Sequence, residues 1–405
     1  MCVHSTPVSS TGPQANTPPH SLALLYPSQL FAGVMLITLG PLLDAILRDL
    51  HLSLAQGGLL SLGFFFGRVL GVTLLNFGLA RIPLKVAMAG AAWVMAAGLA
   101  VAGFLAAGLW SLFVALLVTG AAAVVPNAIS GIWVAAHVRK STERAMLTVL
   151  AFFALGVVAA PLAIGLALDL GATWRWVLLS EAGFSVVMGI VLLLSPFANV
   201  PERENLRLRQ LREVAGFDPR LLAVMLSAAF LYVGTESTLG VWLAKLQVDA
   251  FGASPALAAL SVTLLWAGIT LGRYLAVPLT RRVLPSKLLA VFAVILAVLT
   301  VGLAVSPSLA FSEACAFFTG VGASACFPLV ACYSSRFPGW YSGVTFSGMM
   351  LAGTAAGTIF PYLVGPIAEA LSLRTAVGLS ALPSVLVVVL AFYLRRAARE
   401  SAPAA

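Results

Sequence analysis

Arg68 and Arg273 each follow a glycine inside a stretch that is otherwise apolar, and Glu236 stands in a third such stretch. A guanidinium stays charged at any accessible pH and offers a planar fork of donors that fits a carboxylate, nitrate or phosphate oxygen. A carboxyl that passes between wet and dry surroundings takes up and gives back a proton, so Glu236 is the candidate proton carrier. Asp44, soon after Gly40-Pro41, is a second protonation candidate. The alternative for the arginines and Glu236 is a structural ion pair, the arginines serving as partners of Glu236 or Asp44, and for Asp44 it is a partly wet carboxylate near a helix end. Glu181 and Glu313 fall within about two turns of helix ends, where water is expected to reach them. Asn127, Thr148, Tyr232 and Trp242, with Phe152 and Tyr333, carry groups that stack on or hydrogen-bond a polar solute, although each type is more often packing.

The elements that hold these residues follow from composition. Of 405 residues, 61% are hydrophobic and 9% charged, against about 45–50% and 25% in soluble domains. A soluble enzyme is excluded, because its surface needs polar cover that this chain lacks. Twelve apolar blocks long enough to cross a bilayer as helices emerge, near 23–47, 55–79, 84–106, 110–137, 143–168, 174–196, 221–246, 256–279, 287–305, 309–333, 342–368 and 374–394. At about 1.5 Å per residue, Glu236 lies about 24 Å along its helix from Arg220, near the bilayer centre. The fold expected is an all-α membrane protein of twelve transmembrane helices.

The net charge of +9 could point to nucleic acid, but the basic residues sit between the blocks. Arg48, Arg175, Lys245 and Arg374 fall on one side; apart from Arg68 and Arg273, the rest fall on the other. That asymmetry places both termini in the cytoplasm and accounts for the charge without DNA or RNA. The four cysteines form no CxxC or Cys/His cluster, so neither a metal nor any other cofactor is expected. No GxxxxGK[ST] loop is present, which leaves an ATP-driven pump unsupported.

An internal repeat organises the blocks. Thr38-Leu39-Gly40 recurs as Thr238-Leu239-Gly240, Thr119-Gly120 as Thr319-Gly320, and Pro161, Gly165 and Asp169 as Pro361, Gly365 and Glu369. Gly67-Arg68 matches Gly272-Arg273, with basic loops following both. The chain therefore divides into a tail (1–22), a six-helix bundle (23–197), a cytoplasmic linker (198–220), a second, pseudo-symmetric bundle (221–395) and a short tail (396–405). A pair such as Arg68 and Arg273 would then converge on the central axis.

Two six-helix halves with both termini inside resemble the major facilitator superfamily. The stretch NFGLARIPLK after the second block is similar to that superfamily's cytoplasmic loop motif, keeping Arg81 and Lys85 but carrying Ala80 at the acidic position and Pro83 at the second glycine. LYVGTESTLGVWL, GRYLAVPLTRR and GVGASACFPLV followed by SRFPG resemble the fucose/glucose-galactose permease group. Nitrate/nitrite porters of the superfamily hold their anion with arginines at what look like the places of Arg68 and Arg273.

The resemblance implies a secondary active transporter of a small polar solute, organic anion or sugar, working by alternating access in the plasma membrane with proton coupling. In that reading Glu236 and Asp44 carry protons, and Arg68, Arg273, Asn127, Trp242, Thr148 and Tyr232 bind solute. Arg81, Lys85, Arg281 and Arg282 form a cytoplasmic gate. Partners are the solute, protons and the bilayer, with no nucleic acid, and the protein is expected as a monomer. A drug or metabolite exporter, or a non-transporting sensor that kept the shape, are the alternatives.

Overall fold

The computed structural model describes residues 19–77, 82–138, 142–196, 213–214, 216–337, 339 and 341–400. Arg81, nearly all of the N-terminal tail and most of the linker lie outside the described residues. Described residues form helices and no strand. Among the described residues, eleven helices are long and apolar enough to cross a membrane, and a bent pair, Leu22–Ile37 with Leu39–Asp49, makes up to twelve. The expected spans match these within a few residues, except where the seventh, Pro219–Phe251, runs longer at both ends.

The first half consists of α1 (Pro19–Ile37), α2 (Leu39–Asp49), α3 (Leu54–Phe77), α4 (Leu84–Ala100), α5 (Leu109–Ala123), α6 (Val125–His137), α7 (Thr142–Asp169) and α8 (Trp174–Leu194). The second half consists of α9 (Pro219–Phe251), α10 (Pro255–Thr280), α11 (Pro285–Ala304), α12 (Leu309–Ser324), α13 (Cys326–Ala331), α14 (Tyr341–Ala370), α15 (Leu373–Leu379) and α16 (Ala381–Glu400). Starts are written locally. Ser254 caps α10 by accepting from Leu257 N, with Pro255 in its first turn, and Asp218 does the same for α9 through Leu221 N beside Pro219. Gly252, at φ 63°, stops α9 in the left-handed region.

Three interruptions inside spans share one cause. A proline has no N–H to give to the carbonyl four residues earlier, and its ring crowds that carbonyl. Pro41 follows the break at Thr38, where α1 and α2 meet at 44°. Pro126 follows the break at Val124 between α5 and α6, and Pro328 follows the break at Ala325 between α12 and α13. All three fall inside blocks that the hydropathy of the sequence leaves continuous.

The outer surface is apolar, with Leu170, Leu194, Phe104 and Val298 largely exposed, as a lipid-facing belt requires. Trp110 and Trp176, both exposed and near helix starts, mark one interface.

The halves meet tightly at one end. A Cβ on Gly40 would lie 2.2 Å from Gly240 O, and one on Gly58 would lie 2.6 Å from Tyr362 O, so only glycine permits these backbone approaches. Asp169 accepts from Ser254 Oγ and Ala256 N across the boundary, and Glu369 accepts from Ser53 Oγ and Ala55 N. Lys245 Nζ stands 2.9 Å from Asp44 Oδ1. At mid-depth Thr263 Oγ1 donates to Val158 O and accepts from Leu162 N.

Toward the other end the boundary helices open out. In α7, Gly156, Val157, Ala160, Pro161, Ile164 and Gly165 are buried, whereas Leu147, Thr148, Leu150 and Ala151 are exposed. In α10, burial at Ala258, Val262, Leu265 and Ile269 gives way to exposure at Arg273, Tyr274, Val277, Arg281 and Arg282. The molecule is closed at the Asp169/Glu369 end and open at the end carrying the basic pair Arg281-Arg282.

Candidate functional site

Glu236 sits midway along α9, a spanning helix of 33 residues. Tyr232, one turn earlier and buried, turns its hydroxyl toward the Glu236 carboxyl, and Arg273 on α10 lies within electrostatic reach of both. Cys326, first residue of α13 after the proline break, also lies close to Glu236. The break in the tenth span thus abuts the acid, an arrangement typical of transporter sites, where discontinuous helices bring backbone polar groups to mid-membrane. Arg273 is exposed toward the open end and makes no direct ion pair among the described residues, which leaves its fork free. Glu236, Tyr232 and Arg273 are brought together.

Arg68 is placed differently. Its guanidinium carbon is 5.9 Å from the Phe64 ring centroid, one turn back on α3, and its buried Nη1 has no hydrogen-bond partner among the described residues. Nor does any described carboxylate pair with it. The alternative reading, an ion pair of Arg68 with Glu236 or Asp44, is not formed among the described residues, and Asp44 is occupied elsewhere. Asp44 Oδ1 holds Lys245 at 2.9 Å, Oδ2 holds Arg48 Nε at 3.1 Å, and Lys245 also reaches Asp249 at 2.5 Å. In this conformation Asp44 belongs to a four-charge cluster at the closed end.

Trp242 was expected to line a cavity. Instead it is fully buried, its Nε1 donates to Pro361 O at 2.8 Å, and its ring tip lies against the Cα side of Gly57 from the other half. Its indole is packed where the halves close. Thr148 is exposed on the open part of α7 and spends its hydroxyl on Arg144 O. Asn127, half-buried just after the break before α6, makes no side-chain hydrogen bond among the described residues. Phe152 stacks on Tyr26 at 4.8 Å between centroids, and Tyr333 is buried beside Arg336. Lys85, Arg281 and Arg282 form no ion pair among the described residues, as befits an end that is open; Arg81 lies outside them.

One group is absent from the sequence reading and another takes a different environment from the one expected. Trp266 is seven residues, two turns, before Arg273 on the same face of α10, and its Nε1 is buried without a partner among the described residues. An unspent indole N–H on the face that carries Arg273 was signalled only by that spacing. Glu181 was placed within reach of water but is 6% exposed, with its carboxyl turned into the first half. Depth along the helix had been counted correctly; the face had not.

The sequence profile of the Major Facilitator Superfamily matches residues 25–312. No curated relative matches the chain. Among solved structures, a bacterial homologue of the human lysosomal transporter Spinster, inward-facing and unoccupied, superposes with a TM-score of 0.77 at 16% identity, over 95% of this chain and 98% of that one. The nucleoside transporter NupG, in a single-residue mutant form, gives 0.75 at 14% identity over 92% and 99%. The E. coli fucose:proton symporter FucP, also a single-residue mutant, gives 0.60 at 18% identity over 93% and 98%. All three share the fold.

Proposed function

The chain belongs to the major facilitator superfamily and is a transporter, not an enzyme, and on that premise we propose that it carries a small anionic solute, coupled to protons, by alternating access. The observation that carries this reading is Arg68, a guanidinium at mid-span whose buried Nη1 has no partner among the described residues. A lone charge there costs several kcal/mol unless a ligand or water answers it. Arg273 and Trp266 offer further unspent donors from the opposite half.

The two six-helix bundles rock about this site. With both termini in the cytoplasm, the open end carrying Arg281 and Arg282 faces inward and the Asp169/Glu369 end is the closed outer gate. Glu236, beside Tyr232 and within the field of Arg273, exchanges a proton: an anion arriving at the free fork of Arg273 cancels that field, and the acid takes up a proton. Each charge carried across 100 mV supplies about 2.3 kcal/mol.

A neutral sugar or nucleoside is the second reading. The Trp266 indole, able to stack and donate beside Arg273, favours it, and the relatives above include a fucose and a nucleoside transporter.

Uptake into proteoliposomes loaded at a defined pH distinguishes the two. With a panel of labelled carboxylic acids, sugars and nucleosides, Arg68→Ala should abolish uptake of the acid that wild type accumulates. Accumulation of sugars alone, unaffected by Arg68→Ala, overturns the anion reading.

A further inference from the structure

Glu181 on α8 is a buried acid that the transport site does not use. Its Oε1 is 2.7 Å from Thr38 Oγ1, and the same Thr38 oxygen is 2.9 Å from Val34 O. A threonine hydroxyl has one proton and can donate only once. If that proton goes to the Val34 carbonyl, which can only accept, the bond to Glu181 must use a proton carried by the carboxyl itself. If it goes to Glu181, Val34 O and Thr38 Oγ1 are left as two acceptors face to face. Both bonds are made together only when Glu181 is protonated.

The surroundings agree. Glu181 Oε2 is buried without a partner among the described residues and borders a small cavity of about 20 Å³, room for one water. The walls come from α1, α2, α3, α4, α5 and α8, and apart from Glu181 none of the lining side chains is titratable or charged; Thr38 and Thr119 are the polar ones. Thr119 Oγ1 donates to its own helix at Ala115 O. A carboxylate here would have no counter-charge, in a medium that supplies none. Thr38 is also the residue at which the first span breaks by 44°.

The repeat supplies a control within the same molecule. In the second half Thr238 stands at the place of Thr38, its buried hydroxyl without a partner among the described residues, and Ala381 stands at the place of Glu181; the same two elements are joined one turn away, where Thr235 donates to Ser380 O at 2.9 Å and accepts from Ser384 Oγ at 3.2 Å, with no acid. There the break falls at Ser380, on the partner helix, and α9 runs through. The second half packs these helices with no acid at that place, so packing alone does not require Glu181.

We infer that Glu181 is a proton-binding site, filled in this conformation, whose proton latches the break at Thr38 to α8. When the bend changes and water enters the cavity, the carboxyl O–H bond breaks, the proton passes to that water, and the carboxylate is hydrated. Release of the proton and loosening of the break are one event. The site is independent of Arg68 and Glu236 and stands whichever solute is carried.

Infrared difference spectra of the full chain in lipid nanodiscs, titrated toward alkaline pH, test this together with amide hydrogen exchange at residues 36–42. Wild type should show the carbonyl stretch of a protonated acid that is absent in Glu181→Gln. Its disappearance should coincide with faster exchange at the break after correction for intrinsic rates, and Glu181→Gln should lose that pH dependence. Thr38→Val, which keeps the carboxyl but removes its partner, should move the band to higher frequency, and it serves as the readout if Glu181→Gln does not fold. Spectra of wild type and Glu181→Gln that coincide at every pH, a band unmoved in Thr38→Val, or exchange indifferent to the loss of the band would each overturn the inference.

Discussion

Asp169 and Glu369, 200 residues apart in the chain, do the same thing at opposite corners of the closed end. Asp169 takes Ser254 Oγ at 2.9 Å and Ala256 N at 3.2 Å at the start of α10, and Glu369 takes Ser53 Oγ at 3.2 Å and Ala55 N at 3.1 Å at the start of α3. Each carboxylate caps a helix of the other half, where the unpaired N–H groups and the positive end of the dipole favour an anion.

A cap of this kind contributes about 1 kcal/mol. Asp169→Ala and Glu369→Ala should each shift the balance away from the closed end by roughly fivefold, and the double variant by more than either. Spin-label distances between α7 and α10, measured at that end, report the shift. Unchanged distance distributions in the double variant would show that these clamps do not hold the gate.

Gly40 and Gly240 are equivalent in the repeat, yet they should not be equally sensitive. A Cβ on Gly40 meets Gly240 O at 2.2 Å, whereas one on Gly240 meets only Ile37 Cδ1 at 3.4 Å, an ordinary contact. Gly40→Ala should therefore block closure of that end and Gly240→Ala should leave it intact. Thiol labelling of a cysteine placed on the facing side of α9 would read the difference.

Lys245 is 11% exposed and neutralises Asp44 across the boundary as well as Asp249 one turn along. Lys245→Met leaves two carboxylates facing each other and should cost about 2 kcal/mol of the closed arrangement. Exchanging the charges, Asp44→Lys with Lys245→Asp, should recover part of it. Equal opening of the single and exchanged variants in the same distance measurement would mean that the pair contributes only bulk.

Glu236→Gln keeps the shape of the side chain and removes its proton exchange. Accumulation driven by a pH gradient should disappear while exchange of labelled for unlabelled solute persists. Arg273→Ala should impair both, since its free fork is also a ligand group. Uphill uptake by Glu236→Gln would take that residue out of the coupling role.

Much of this architecture could be read from the chain because lipid simplifies the code. Spans show as apolar blocks, and the offset of 200 already aligned Gly40 with Gly240 and Asp169 with Glu369 before either contact was known. Rotation about a helix axis was harder to read. Apolar residues surround these helices on every side, so no polar face tells which way Glu181 or Trp242 points. Glu181, near a helix end and expected to be wet, faces a small apolar cavity, and Trp242 is locked under α14 by Pro361 O. Asp44 was legible as an acid but its partner was not, since Lys245 lies 201 residues away on a helix whose register against α2 only the packed halves define. The breaks at Val124 and Ala325 were foreshadowed by Pro126 and Pro328, prolines that a hydropathy count passes over.

The first span is hinged at Thr38, while its counterpart α9 is a single rod of 33 residues. Symmetry of shape thus conceals an inequality of stiffness. Under the same load the leading bundle yields and the trailing one pivots, so the gate swings on one compliant leaf hung against a rigid post.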